Sequence, residues 1–108
     1  MIFSLHAYDG PATVDGIPFS DVRLREHVDQ IGTGIIKNWE GTAHVSRREA
    51  PDTLPTWFKS YEAPVPVQLP SGGTGNAHLI ALTLTDGLWW ELELAGAGPS
   101  PMDDQDDE

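Results

Sequence analysis

Four histidines, His6, His27, His44 and His78, have the broadest chemical range of any residues in this chain, because neutral imidazole both ligates metals and carries protons near neutral pH. A zinc site written into a sequence spaces its ligands closely along one element, and no H-x-H or H-x-x-x-H pair occurs here. Neither a metal nor a cofactor is therefore expected, and the one arrangement that would alter this is a fold that brings His6, His44 and Glu40 together. Glu91 and Glu93 are two apart, about 7 Å along one strand face, a spacing that could serve an acid and a base but is read first as a solvated strand face. Ser71-Gly72-Gly73-Thr74-Gly75-Asn76 has the glycines of a phosphate cradle. It lacks the lysine and the following helix that give such loops their charge and dipole, so it reads as a flexible connector. No nucleophile and base stand at a productive spacing anywhere in the chain.

Aromatic residues carry a stronger signal. There are four tryptophans in 108 residues. Trp39 and Trp90 fall on apolar strand faces and read as core anchors. Trp57-Phe58 lies in an irregular segment and Trp89 on a mixed face, where partial exposure makes an adhesive patch of the kind that binds partners. The candidate binding residues are Trp57, Phe58 and Trp89, with Tyr8, His44 and Glu40 as the set around which a barrel-mouth pocket would be built.

Strands must position these residues, since no window of 11 or more residues holds a helical apolar period free of glycine or proline. Phe3, Leu5 and Ala7 alternate with polar neighbours until Asp9-Gly10-Pro11, where a turn is expected. Asp15-Gly16 between Ala12–Val14 and Ile17–Phe19 suits a type I′ hairpin turn. Val22, Leu24, Glu26 and Val28 then face the core while Asp21, Arg23, Arg25 and His27 face water, and residues 29–34 connect onward. In the next stretch Ile35, Lys37, Trp39, Gly41, Ala43 and Val45 form the core face, with Gly41 and Ala43 making room beside the indole. Residues 46–64 form a long irregular loop with one helical turn at Pro55–Ser60. Val65, Val67 and Leu69 alternate with Pro64, Pro66 and Gln68 as an edge strand, its prolines outward. Ala77–Ala95 is a hairpin about Asp86-Gly87, and a two-residue loop sets Thr85 against Leu88, Thr83 against Trp90, Ala81 against Leu92 and Leu79 against Leu94. The expectation is an all-β fold: a small single-domain antiparallel β-barrel or strongly curved sheet of about six to eight strands.

The chain has room for one core, residues 1–101, followed by an acidic tail, residues 102–108, read as disordered. Its formal charge of -11 arises from 17 acidic and 6 basic residues. Five of the acids are Asp103, Asp104, Asp106, Asp107 and Glu108, so the body is only moderately acidic. This balance argues against direct binding of nucleic acid, which needs a basic surface. There is no cysteine, and neither an export signal nor a membrane segment is read, which together suggest a cytoplasmic protein.

One set of residues, Tyr8-Asp9-Gly10-Pro11-Ala12, Gly16, Val22-Arg23-Leu24, Gly34, Trp39-Glu40-Gly41, Trp90 and Gly96-Ala97-Gly98-Pro99-Ser100-Pro101, resembles an actinobacterial family of uncharacterised domains. These occur alone or at the C-terminal end of some flavin-dependent monooxygenases. The likeness spans residues 8–101, departs from the pattern around Trp57 and excludes the acidic tail. It implies a compact all-β domain and carries no catalytic residues with it.

Three functions follow, in order of support. The first is a non-catalytic binding or accessory module that contacts a protein or an apolar small molecule through residues 51–62 and the neighbouring tryptophans, as a monomer or homodimer. The second is an acidic inhibitor whose tail imitates a phosphate backbone toward a basic partner. The third is an enzyme with a site built from His44, Glu40 and Tyr8.

Overall fold

The computed structural model describes residues 2–62 and 64–102. Six antiparallel strands, β1 (Ile2–Val14), β2 (Ile17–Ile31), β3 (Gly34–Ser46), β4 (Val65–Gln68), β5 (Thr74–Thr85) and β6 (Trp89–Ala97), close into a barrel in the order β1-β2-β3-β6-β5-β4. A short helix, α1 (Leu54–Ser60), follows β3. The expected fold class is the observed one.

The ring is narrow where it closes. β1 meets β4 only at Thr13↔Gln68 and Val14↔Val67, supplemented by the Asp15 amide donating to the Pro66 carbonyl at 2.7 Å. β3 meets β6 only from Glu40 onward. The other ends of β1, β2 and β3 consequently run past the ring as a three-stranded arm, and the molecule measures 46 × 28 × 26 Å.

Alternation fills the interior. Val14, Phe19, Val22, Leu24, Trp39, Ala43, Val45, Val65, Val67, Ala77, Leu79, Leu92 and Leu94 are all buried, and Leu54 of α1 is completely buried with them. Pro55 opens the helix where its missing N–H costs nothing, which turns Leu54 into the barrel. The last described segment covers core as well. Ser100, Pro101 and Met102 are buried, with Pro101 so close over Gly75 that no β-carbon fits there. Met102 thus belongs to the barrel and not to the tail, and the remaining tail residues, 103–108, lie outside those described.

Five details differ from the sequence expectation, each for a local reason. β1 does not end at Asp9-Gly10-Pro11; it continues to Val14 because the proline sits at a register shift, between Gly10↔Val22 and Ala12↔Phe19, where no ladder N–H is required. A second shift, between Ser4 and His6, turns His6 and Tyr8 inward and leaves Ala7 exposed. β2 runs on to Ile31 and turns at Gly32-Thr33, so residues 29–31 are strand and not connection. β4 is not an edge: both its sides are paired, and its one proline, Pro66, is tolerated because the pairing with β1 is so short. The β5–β6 register also moves by one residue near the tip, giving Thr85↔Trp89, Leu84↔Trp90 and Leu82↔Leu92, and a bulge at Ile80 restores Leu79↔Leu94. The shift sets Leu82 and Leu84, in place of Ala81 and Thr83, beside the inward-facing residues of β6.

The Asp15-Gly16 turn is as expected, with Val14 opposite Ile17 and φ of 53° and 81° at the two central residues.

Candidate functional site

The residues singled out in the sequence divide between the inside and the outside of the barrel. Tyr8 lies on the inner face, and its hydroxyl donates to the Pro11 carbonyl at 2.6 Å, a local brace across the bent part of β1. Trp57 and Phe58 are half-buried against the core. The Trp57 indole donates to Asp15 Oδ2 at 2.7 Å, and the Phe58 ring sits tilted against Tyr61 with centroids 6.4 Å apart, the Tyr61 hydroxyl reaching the Leu79 carbonyl. These aromatics fasten α1 to the β1–β2 turn and to β5.

His44, Glu40 and Trp89 sit outside. β3 alternates, so Trp39, Ala43 and Val45 point inward while Glu40, Thr42 and His44 point outward, beside Asp21, Arg23 and Arg25 of β2 and Glu91 and Glu93 of β6. Alternation along β6, with Leu92 and Leu94 inward, leaves Trp89 facing out, 45% exposed, next to Leu88 at 63%. His44, Trp89, Arg23, Asp21 and Ser20 line one groove of about 400 Å³. At Trp89 it meets a groove of about 520 Å³ formed by Ser46, Arg47, Arg48, Gly87 and Leu88. At Arg23 it meets a third, of about 480 Å³, that contains Arg25, Glu40, Thr42, Ile80 and Glu93. Together they trace a shallow path over the outer surface of β2, β3 and β6.

The charges on this path are uneven. All four arginines of an acidic chain lie along it, whereas the two lysines, Lys37 and Lys59, do not. Arg25 is paired with Asp9 at 3.0 Å, and Arg47 donates to the Gly87 carbonyl at 3.4 Å. Arg23 and Arg48 have neither a hydrogen bond nor an ion pair among the described residues. His44 presents Nε2 to Glu91 Oε1 at 3.6 Å, and its Nδ1 is the one buried side-chain nitrogen or oxygen without a partner among the described residues. A buried polar atom left unpaired costs about 1–3 kcal/mol, and such a cost tends to mark a functional surface.

Glu26 is the residue that sequence reasoning passed over. Its side chain is 1% exposed, with Oε1 2.6 Å from His6 Nδ1 and Oε2 3.9 Å from Lys37 Nζ. It borders a cleft of about 260 Å³ closed by Trp39, Gly96, Gly98, Pro99 and Ser100. The signal was a lone glutamate at an inward position of β2, between Leu24 and Val28. His6 is thereby held on Glu26 and His44 on Glu91, so His6, His44 and Glu40 do not gather. Among the described residues no three His, Asp or Glu side chains are grouped as a metal would require. Glu91 and Glu93 share the outer face as expected, but Glu91 approaches His44 while Glu93 lines the neighbouring groove. The glycine-rich segment is a tight hydrogen-bonded turn, Leu69 N to Gly73 O and Gly72 N to Leu69 O, leading into β5.

No helix among the described residues is long and apolar enough to cross a membrane. Comparison with family models, with curated proteins and with solved structures finds no match for this chain.

Proposed function

We propose that the protein is a non-catalytic binding module that engages a protein partner with the outer surface of β2, β3 and β6, anchored by Leu88 and Trp89. The observation that carries this reading is the contrast between a barrel interior filled with side chains and an exposed leucine-tryptophan pair at the tip of β5–β6, where three grooves adjoin. Exposed tryptophan flanked by arginine is the composition of interface hot spots. Trp57 and Phe58 are committed to packing α1 against the β1–β2 turn and β5, so their removal would act on stability. The resemblance noted for residues 8–101 fits an accessory role beside a larger catalytic protein.

An enzymatic reading has less support. Tyr8 is on the opposite face of the sheet from His44 and Glu40, and the outer path holds no nucleophile oriented by a base. The proposal is tested by presenting the protein, Trp89→Ala and Trp57→Phe as baits to an extract of the source cells and quantifying the captured proteins. A specific partner lost with Trp89→Ala and kept with Trp57→Phe is expected. A partner lost only with the Trp57 variant, or no specific partner at all, would overturn it.

A further inference from the structure

Resting on that reading, the geometry points to an extended peptide segment of a partner protein as the occupant of the outer path, with an acidic residue near each end and an apolar side chain between them. We infer this from charge, spacing and the character of the middle of the path.

Arg23 and Arg48 are the two guanidiniums without a partner among the described residues, and they lie on either side of Trp89. Arg23 is level with Thr42 of β3, Trp89 is level with Ser46, and Arg48 is two residues beyond Ser46. Arg48 lies in the turn that follows Ser46, where the Ala50 amide donates to the Ser46 carbonyl, so it is the strand from Thr42 to Ser46 that sets the arginines apart, by roughly 13 Å at about 3.3 Å per residue. A single carboxylate or phosphate cannot touch both. An extended chain of about five or six residues can, which selects a peptide over a small anion.

The middle of the path rejects a uniformly acidic ligand. Asp21 lines the central groove and Glu91 stands beside His44, so a carboxylate placed there meets like charge. Trp89 and Leu88 offer apolar surface at the same level. The acceptable pattern is therefore acid, apolar centre, acid. Guanidinium is the side chain best suited to the ends, because it takes a carboxylate with two parallel hydrogen bonds. A chain of net charge -11 would otherwise repel an acidic partner, and the concentration of its arginines on this one face gives that partner a place to dock.

The test uses fluorescein-labelled synthetic octapeptides carrying Glu at positions 2 and 7 and Leu, Phe or Trp at position 4 or 5, each paired with a version carrying Gln at 2 and 7. Binding to the full chain is followed by fluorescence anisotropy at low and moderate salt. The acidic peptides are expected to bind at least about fivefold more tightly than their Gln counterparts, and this preference should shrink as salt screens it. Arg23→Gln and Arg48→Gln should each weaken binding by about three- to tenfold, and Trp89→Ala by tenfold or more. Both arginines are exposed, so their variants fold even if Trp89→Ala does not. Equal binding of acidic and Gln peptides, with loss at Trp89→Ala, would overturn the charge pattern and leave the binding surface standing. Failure of every peptide would overturn the inference, leaving the extract capture to decide the surface. Sedimentation of the full chain closes the alternative: a concentration-dependent dimer lost with Trp89→Ala would make the occupant a second copy and overturn the partner peptide.

Discussion

Gly96→Ala is the substitution whose consequence follows most directly from the packing. Gly96 of β6 lies under the indole of Trp39, and a β-carbon built there would clash with Cδ1, Nε1 and Cε2 of that ring. The indole has little room to retreat. It is 4% exposed, and its Nε1 donates to the Gly98 carbonyl at 3.1 Å, which ties it to the segment that covers the barrel. Overpacking a core by one methyl group costs about 1–3 kcal/mol, and outright loss of a buried tryptophan about 3–5 kcal/mol. Because the overlap falls on rigid ring atoms, Gly96→Ala is expected near the top of the first range, about 3 kcal/mol, or a fall in Tm of roughly 10–15 °C. Urea unfolding followed by circular dichroism measures it, and a double-mutant cycle identifies the cause. In a Trp39→Leu background the same alanine should cost less than about 1 kcal/mol, giving a coupling of about 2 kcal/mol. A Gly96→Ala protein within about 0.5 kcal/mol of the parent, or costs that simply add, would refute the reasoning.

Leu54→Ala should remove the part of α1 that fills the barrel and cost about 2–5 kcal/mol by urea unfolding; a cost below about 1 kcal/mol would show that the helix does not close the core. Glu26→Ala leaves His6 and Lys37 without their shared carboxylate and is expected to cost about 3–5 kcal/mol, whereas Glu93→Ala, at an exposed position, should change stability by less than about 0.5 kcal/mol. Asp15→Ala removes the acceptor of the Trp57 indole and puts alanine at a φ of 53°, so about 1–2 kcal/mol should be lost, with Asp15→Asn retaining most of it. Thermal unfolding of the three Asp15 proteins decides that point.

Legibility in the sequence followed the range of the interaction involved. Turns written in adjacent residues were readable: Asp15-Gly16 specified its hairpin because both central residues must take positive φ, and the inward parity of Val22, Leu24, Trp39, Ala43 and Val45 emerged from simple alternation. Pro55 likewise foretold the short helix. The bulges were harder, since an inserted residue reverses the faces without changing composition. Even so, the β5 bulge leaves a trace, because the apolar positions pass from 77 and 79 to 80, 82 and 84, a change of parity that a fixed two-residue turn does not explain. β1 misled for a different reason. Gly10-Pro11 breaks most strands, and only the register shift between Gly10 and Ala12, which has no local signature, makes the proline harmless.

The candidate site divided in the same way. Trp89 and His44 could be named because an exposed aromatic and an outward histidine follow from strand parity alone. Their meeting with Arg48 depends on the loop after β3 returning to the β5–β6 turn, where Arg47 N donates to the Leu88 carbonyl at 2.8 Å, a long-range contact without a local signature. Trp57 and Phe58 looked exposed for want of any period, and only the helix and its hydrogen bond to Asp15 reveal their structural duty. Glu26 was hidden by its ordinary place in an alternating strand.

The most direct test of the binding surface is to titrate the isotopically labelled protein with the tightest of the acidic octapeptides and follow backbone and indole N–H resonances. The account predicts shifts that cluster at residues 20–25, 42–48 and 87–93 and include the Trp89 indole, while the Trp57 and Trp39 indoles stay in place. Shifts centred on residues 51–62, or on the interior of the barrel, would contradict it.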